Sequence, residues 1–233
     1  MTPSIVAVSG LGALLGFRHA FEPDHLAAVS ILATRPGATL WSAARVGLVW
    51  GVGHTGTVAI VALLIVAAGI QLPTSLWPAA ELVVAGLLML LGSAVIWRYA
   101  RGRWHMHAHA HSGAALHLHL HTHAHDASHA HAHPSVDARR SFGFGIAHGL
   151  AGSGAIAAVL VAAVPDQASR VAYIAAFGAG TIVGMLGVSL TLSMLVRVAA
   201  ARGARWARIL HFGAAAGSVL AGFLLAAGTV ARL

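Results

Sequence analysis

Long apolar stretches follow one another along this 233-residue chain, separated by short polar turns. A helix needs about 20 apolar residues to cross the hydrocarbon core of a bilayer. Six stretches meet that length, at 4–33, 42–69, 76–98, 142–164, 171–197 and 206–230. Hydrophobic residues make up 58% of the chain and charged residues only 9%, which is too apolar for a soluble domain. The sequence therefore predicts an all-α polytopic membrane protein with six transmembrane helices.

The arginines predict how these helices are oriented, because positive charge accumulates in the cytoplasmic loops of membrane proteins. Three loops share one side of a six-helix chain, at 34–41, 99–141 and 198–205. With their flanks they contain Arg35, Arg45, Arg98, Arg101, Arg103, Arg139, Arg140, Arg197, Arg202, Arg205 and Arg208. The opposite side has only Arg170 and Arg232. We therefore predict a protein of the inner (plasma) membrane with these loops in the cytoplasm and both termini outside. This distribution accounts for the net charge of +8 without a nucleic-acid partner.

The chain also resembles two related halves. HAFEPDHLAAV in the first stretch parallels HGLAGSGAIAAV in the fourth, and WGVGHTGTVAIV in the second parallels AFGAGTIVGML in the fifth. Three spans per half insert the second copy upside down, as in the inverted repeats of secondary transporters. We expect a first three-helix repeat at 1–99, a loop at 100–141 and a second three-helix repeat at 142–233. The alternative is that helices rich in Gly and Ala align by composition alone.

The first apolar stretch contains a polar segment, RHAFEPDH, at residues 18–25. Its ionisable side chains are Arg18, His19, Glu22, Asp24 and His25. Each costs about 3 kcal/mol at the centre of a bilayer, and such residues normally mark an ion or substrate path. We expect Arg18 to pair with Glu22 or Asp24. The alternative is that these groups only pair with each other and pin helices together.

Pro23 predicts the geometry of this segment. On a regular helix His19, Glu22 and His25 share one stripe, while Asp24 points away. Because Pro23 lacks an N–H, a kink there is expected to free the carbonyl of His19 and to swing Asp24 towards the imidazoles. We therefore expect a first helix kinked at Pro23 and a mixed nitrogen and oxygen pocket. Such a pocket suits divalent first-row metals.

The segment HAFEPDH resembles the His-Ala-x-Asp-Ala-Asp-His signature of the nickel/cobalt transporter (NiCoT) family, particularly its short urease-accessory-type nickel permeases and efflux relatives. His19, Asp24 and His25 match the signature, and Glu22 stands at its first acid. GVGHTGTV is similar to the Leu-Gly-His-Ser/Thr motif of the family, and FGFGIAHGLAGSGA to a motif in the second half of the short members. The resemblance implies that a Ni²⁺ or Co²⁺ ion is held by His19, Asp24, His25 and His54, with Glu22 and His148 as helpers.

A histidine-rich tract occupies the central loop. Its members are His105, His107, His109, His111, His117, His119, His121, His123, His125, His129, His131 and His133. Such tracts bind metals by composition, and imidazole is largely neutral near pH 7. We expect a disordered cytoplasmic loop that buffers or senses metal without selecting among Ni, Co, Zn and Cu. The alternative is a linker with incidental metal affinity.

For the other polar and small residues, the sequence predicts a position or a packing role. His211 begins the last span and is expected at the membrane interface, and Glu81 is a candidate gate or proton site. Glycines that are expected to let helices approach closely are Gly178, Gly180, Gly184, Gly187, Gly213 and Gly217.

Residues and motifs that are absent from the sequence exclude several classes of protein. The chain has no cysteine, which excludes thiol-relay carriers. It has no G-x-x-x-x-G-K-[ST] motif for ATP and no H-E-x-x-H motif of a metallohydrolase, so we expect no enzymatic activity and no catalytic cofactor. The leading interpretation is a secondary transporter for Ni²⁺ or Co²⁺, with uptake driven by the membrane potential. The alternatives are proton-coupled efflux of Ni, Co or Zn and a membrane metal sensor or store. Expected partners are the metal ion, the lipid bilayer and a cytoplasmic metallochaperone, and the oligomeric state stays open.

Overall fold

The computed structural model describes residues 4–33, 39–68, 76–101, 105–109, 117–121, 138–150, 164 and 166–233. Seven helices lie within these ranges: α1 Ile5–His19, α2 Pro23–Ala33, α3 Leu40–Ala68, α4 Leu76–Ala100, α5 Ala138–His148, α6 Gln167–Ala201 and α7 Ala204–Val230. Two short strands, β1 His105–His109 and β2 His117–His121, lie in the central loop.

Four of these helices are long and apolar enough to cross a membrane. The qualifying segments are Leu40–Leu64, Pro78–Ala100, Gln167–Ala201 and Arg205–Val230. The helices α1 and α2 meet the same test only together, as a pair bent by 59° at a short break. Of the stretch predicted at 142–164, α5 covers the first part, and residues 151–163 lie outside the described ranges. The chain is therefore a helical multi-pass membrane protein.

Large apolar side chains cover the outside of the helix assembly. Leu64, Leu90, Val183 and Phe223 are each more than half exposed, and they lie on four different helices. Exposed apolar surface of this extent marks contact with a membrane or another protein. In a membrane protein, such a surface faces the lipid tails.

Glycines set the closest helix contacts. A Cβ on Gly16 of α1 would overlap the carbonyl oxygen of Phe177, and one on Gly180 of α6 would overlap the carbonyl oxygen of Ala13. From the pair Gly16 and Phe177 to the pair Ala20 and Gly184, residue numbers rise along both helices, so α1 and α6 run parallel. The predicted close-approach role also fits Gly184, where a Cβ would lie 2.6 Å from that of Ala20.

That prediction is wrong for three other glycines. A Cβ on Gly187, Gly213 or Gly217 would meet no described heavy atom within 4 Å. These glycines lie on outer faces of α6 and α7, where a small residue is not required by a neighbouring helix.

The helix α3 lies between α5 and α6. A Cβ on Gly178 of α6 would overlap the side chain of Thr55, and one on Gly47 would lie 2.7 Å from the Ser189 hydroxyl oxygen. Residue numbers fall along α3 as they rise along α6, so the two helices are antiparallel. On its other side, a Cβ on Gly149 would lie 2.7 Å from the carbonyl oxygen of His54.

The remaining contacts complete the bundle. Gly145 of α5 lies against Trp50, just as Gly149 lies against His54, so α3 and α5 run parallel. Gly92 of α4 contacts the backbone of Ala215 of α7. The short helix α2 lies in the middle, where it contacts α3, α4, α6 and α7.

Two polar side chains outside the first helix have defined contacts. His211 is buried, with 4% of its surface exposed, and its ring lies 5.8 Å from that of Tyr99, while its position at the membrane interface stays a prediction. Glu81 forms an ion pair with Arg232 and accepts a 2.6 Å hydrogen bond from Thr229. These contacts tie α4 to the end of α7.

Part of the histidine-rich tract is extended. The strands β1 and β2 pair antiparallel, and their backbone register places His105 opposite His121 and His109 opposite His117. Between these pairs, His107 lies opposite His119. These two segments differ from the predicted disorder. The other histidines of the tract, His111, His123, His125, His129, His131 and His133, lie outside the described residues.

Candidate metal centre

The site is built on the break between α1 and α2. The helix α1 ends at His19, and α2 begins at Pro23, whose missing N–H and fixed φ suit the first position of a helix. Between them, the Glu22 N–H donates to the carbonyl oxygen of His19 over 3.0 Å. The prediction of a free His19 carbonyl is therefore wrong, because a tight turn supplies a donor three residues later. The predicted kink itself is present, as a complete break.

The break brings Asp24 to the imidazoles, as expected. One carboxylate oxygen, Oδ1, accepts from the His25 backbone N–H at 2.9 Å and lies 3.0 Å from His25 Nδ1. The other, Oδ2, lies 3.2 Å from Nε2 of His148, the last residue of α5. A single carboxylate thus connects two histidines that are 123 positions apart in sequence.

His19 makes a similar connection on the other side. Its Nδ1 lies 2.9 Å from Glu22 Oε2, and its Nε2 lies 3.3 Å from His54 Nε2. Both imidazoles are buried. The Arg18 side chain is exposed and forms no ion pair with Glu22 or Asp24, so the predicted pairing is wrong within residues 4–33.

His25 occupies the centre of the cluster and is completely buried. Its ring centroid lies 4.4 Å from that of His19, 4.9 Å from that of His54 and 4.6 Å from that of His148. Two sets of candidate ligands share it: His19, His25 and His54 form one, and Asp24, His25 and His148 form the other. Within each set, one ligand atom per residue lies within 4.8 Å of the others.

The two carboxylates fix the tautomers of their histidines. We assign the Nδ1 proton of His19 to its bond with Glu22, and that of His25 to its bond with Asp24. Each Nε2 atom then carries no proton, and its lone pair can bind a metal ion. The His25 Nε2 atom is buried and has no hydrogen-bond partner among the described residues. An acceptor left in this state costs about 1–3 kcal/mol, which a bound cation would offset.

The nitrogen spacing is of the size that a shared ion requires. Two nitrogens that each lie about 2.0–2.1 Å from a tetrahedral metal ion are about 3.3 Å apart, and around an octahedral ion they are about 2.9 Å apart. The His19 and His54 Nε2 atoms are separated by 3.3 Å. This pair can therefore hold one ion with only small side-chain movements.

Comparison with known proteins gives one informative match. The urease accessory protein UreH of Bacillus sp. (strain TB-90) is 32% identical to this chain over 173 residues, which cover 74% of the chain and 70% of the relative. The chain belongs to the UreH family. The relative is named for an accessory role and not for an enzymatic one, in agreement with the expectation that this UreH-family protein is not an enzyme. No protein-family model and no solved structure matches the chain.

Two aromatic residues of this UreH-family protein were missed in the sequence. The buried Trp50 ring lies 5.7 Å from the ring of His25 and 5.6 Å from that of His148. The Phe177 ring lies 5.4 Å from the ring of His19. These aromatic rings pack against the histidine cluster. For Trp50 a signal was available, because it lies one helical turn before His54 on the same face of α3.

The cluster lies deep in the helix assembly. His54 is the middle residue of α3, Leu40–Ala68, with fourteen residues on either side. At about 1.5 Å per residue, each half of the helix is about 21 Å long, so His54 lies near the centre of a bilayer that α3 crosses. All six predicted ligand residues meet at this depth, while their ligation of a metal stays a prediction.

Proposed function

We propose that this protein is a secondary transporter that carries Ni²⁺ or Co²⁺ across the inner membrane, with uptake driven by the membrane potential. The observation that carries the proposal is the buried His25 imidazole, in ring contact with three other histidines at the break of a bent helix. Ionisable residues at this depth normally mark an ion path. The motif resemblance to nickel/cobalt transporters and the urease accessory role in the relative's name favour nickel.

We assign distinct roles to the six residues. The imidazoles of His19, His25 and His54 are the nitrogen ligands of the ion. Imidazole suits Ni, Co and Zn, and the bundle supplies no competing soft thiolate because the chain has no cysteine. Glu22 orients His19, in the manner of the carboxylate–histidine–metal arrangements of many metal sites.

Asp24 and His148 form a second position for the ion next to the first. They share His25 with the three-imidazole set, so an ion can pass from one set to the other while it keeps a ligand. Asp24 also supplies negative charge, which lowers the cost of placing a divalent cation at this depth.

The directions of the helices favour six membrane passes. The helices α1 and α6 run parallel, α3 runs antiparallel to α6 and parallel to α5, and α4 lies against α7. A chain that crosses alternately six times, with its fourth crossing at the apolar stretch 142–164, has these directions. We propose inverted repeats at 1–99 and 142–233, with external termini and a cytoplasmic histidine-rich loop.

Uptake by this route needs no coupling ion. Moving one elementary charge through the membrane potential yields about 2.3 kcal/mol per 100 mV. A divalent cation that enters an inside-negative cell therefore gains about 4.6 kcal/mol per 100 mV. Since about 1.4 kcal/mol corresponds to a factor of ten, this energy supports more than a thousandfold accumulation.

Flux in proteoliposomes tests the proposal. With a potassium gradient and valinomycin, which impose an inside-negative potential, we expect Ni²⁺ or Co²⁺ to accumulate many-fold over vesicles without valinomycin. Flux that responds to a pH gradient and not to the potential would favour proton-coupled efflux instead. Ni²⁺ binding without flux under either gradient would contradict transport and favour a metal sensor or store.

Deletion of residues 105–133 tests the role of the histidine-rich tract. We expect the shortened protein to keep its maximal Ni²⁺ flux, because the tract lies outside the helices that hold the centre. The metal concentration at half-maximal flux should shift, since the tract no longer collects ions or passes them to a cytoplasmic metallochaperone. A folded deletion variant with no flux would contradict an accessory role.

A further inference from the structure

One ridge of α6 consists of buried residues at every fourth position. The members are Tyr173, Phe177, Thr181, Met185, Ser189 and Ser193, and each is less than one tenth exposed. Residues at this spacing form a continuous ridge that winds slowly along a helix. With a rise of 1.5 Å per residue, the ridge is about 30 Å long, which is the thickness of the hydrocarbon core.

Three hydroxyl groups on this ridge are buried without a hydrogen-bond partner among the described residues. They belong to Tyr173, Ser189 and Ser193. By contrast, Thr181 donates to the carbonyl oxygen of Phe177, one turn earlier, at 2.9 Å. A hydroxyl in an apolar bundle ordinarily makes such a bond, because an unpaired polar group is costly. These three hydroxyls therefore need another partner.

A small cavity adjoins the first of these hydroxyls. It lies between α3 and α6, is lined by Thr55, Tyr173 and Phe177 among others, and has a volume of about 10 Å³. This volume is about the size that holds one water molecule. The Thr55 hydroxyl is also buried without a partner among the described residues. The cavity is thus bordered by two residues with unpaired hydroxyls, and its other lining side chains are apolar.

The candidate metal centre lies between the two groups of hydroxyls along α6. Phe177 separates the cavity from the centre, since its ring lies 5.4 Å from that of His19. Further along the ridge, Met185 packs in an apolar cluster with Trp50, and Ser189 lies one turn beyond it. Along the ridge, Phe177 thus lies between the centre and the hydroxyl of Tyr173, and Met185 lies before those of Ser189 and Ser193.

We propose that the hydroxyls of Tyr173 and Thr55 on one side, and of Ser189 and Ser193 on the other, line the route by which a hydrated divalent cation reaches and leaves the centre. Hydroxyl oxygens replace water of the ion's hydration shell along this route. Phe177 and Met185 close it on the two sides of the centre. This inference rests on the proposed transport function.

Cysteine labelling tests the route without a transport assay. The natural chain has no cysteine, so a single Ser193→Cys thiol is the only one present. Thiols react as thiolates, which form where water reaches them. We expect a charged methanethiosulfonate reagent to modify Ser193→Cys at least tenfold faster than Met194→Cys, and Ni²⁺ to slow that reaction. Met194 is the matched control because it is one residue away and 53% exposed on the outer surface.

Equal rates for the two variants would overturn the route, and so would a fast rate at Met194→Cys alone. Ser189→Cys, compared with Val183→Cys on the outer surface, repeats the test if Ser193→Cys does not fold. A labelled Ser193→Cys in a protein without flux would refute the proposed function and keep the water-accessible route.

Hydroxyl deletions supply a second readout. In Tyr173→Phe, Thr55→Val and Ser189→Ala, we expect Ni²⁺ flux to fall severalfold while the Ni²⁺ affinity measured by calorimetry stays within about twofold. A residue of the centre would lose affinity together with flux. Unchanged flux in all three variants, or an affinity loss equal to the flux loss, would overturn the assignment of these hydroxyls to a route.

Discussion

The His25→Ala variant should lose Ni²⁺ binding by at least about 100-fold and reduce Ni²⁺ flux to the background of empty vesicles. Loss of a residue that only orients a ligand already weakens metal affinity by about 10–100-fold, and His25 is itself shared by both ligand sets. Its removal leaves neither set with three members. Calorimetry on the purified protein and flux in proteoliposomes measure the two effects separately.

The His211→Ala variant is the matched control for His25→Ala. His211 of α7 is also a buried histidine, but it lies beside Tyr99 of α4 and belongs to neither ligand set. We expect it to bind Ni²⁺ with the affinity of the wild type. An unchanged Ni²⁺ affinity in a folded His25→Ala protein would refute the centre, and an equal loss in both variants would indicate general damage to the bundle.

Much of the centre follows from local sequence. His19, Asp24 and His25 lie within seven residues, and Pro23 between them makes a bend nearly unavoidable. The distant His148 was predicted as a helper because its segment is similar to a motif in the second half of the family's short members. The structure places its imidazole 3.2 Å from Asp24.

Other parts of the centre depend on contacts that no local pattern contains. The His19 carbonyl is paired because of how the chain turns between two helices, and this turn is not encoded by the missing N–H of Pro23 alone. Trp50 and Phe177 look like the aromatic residues that face lipid in any apolar helix. Ser189 and Ser193 look like ordinary small packing residues, and only their burial without hydrogen-bond partners sets them apart.

Helix packing depends on glycines whose importance is likewise invisible in composition. The Gly16→Val variant should unfold about 6–12 °C below the wild type. A Cβ at Gly16 overlaps the carbonyl oxygen of Phe177, and the same glycine's carbonyl oxygen accepts a 3.1 Å bond from Thr181. Overpacking of this kind costs about 3 kcal/mol, and each kcal/mol lowers the melting temperature by about 2–4 °C in a chain of this size. Thermal unfolding in detergent measures the shift.

Ni²⁺ affinity should fall with the same substitution, because His19 lies three residues further along α1 and moves with it. Gly10→Val is the matched control: it makes the same change in the same helix, where a Cβ meets no described atom within 4 Å. We expect that variant to keep both its Ni²⁺ affinity and its melting temperature within about 2 °C, since surface changes cost at most about 0.5 kcal/mol. Equal losses in the two variants would attribute the effect to valine in the helix. A loss of Ni²⁺ affinity and melting temperature in Gly16→Val alone would show that the contact between α1 and α6 positions the centre.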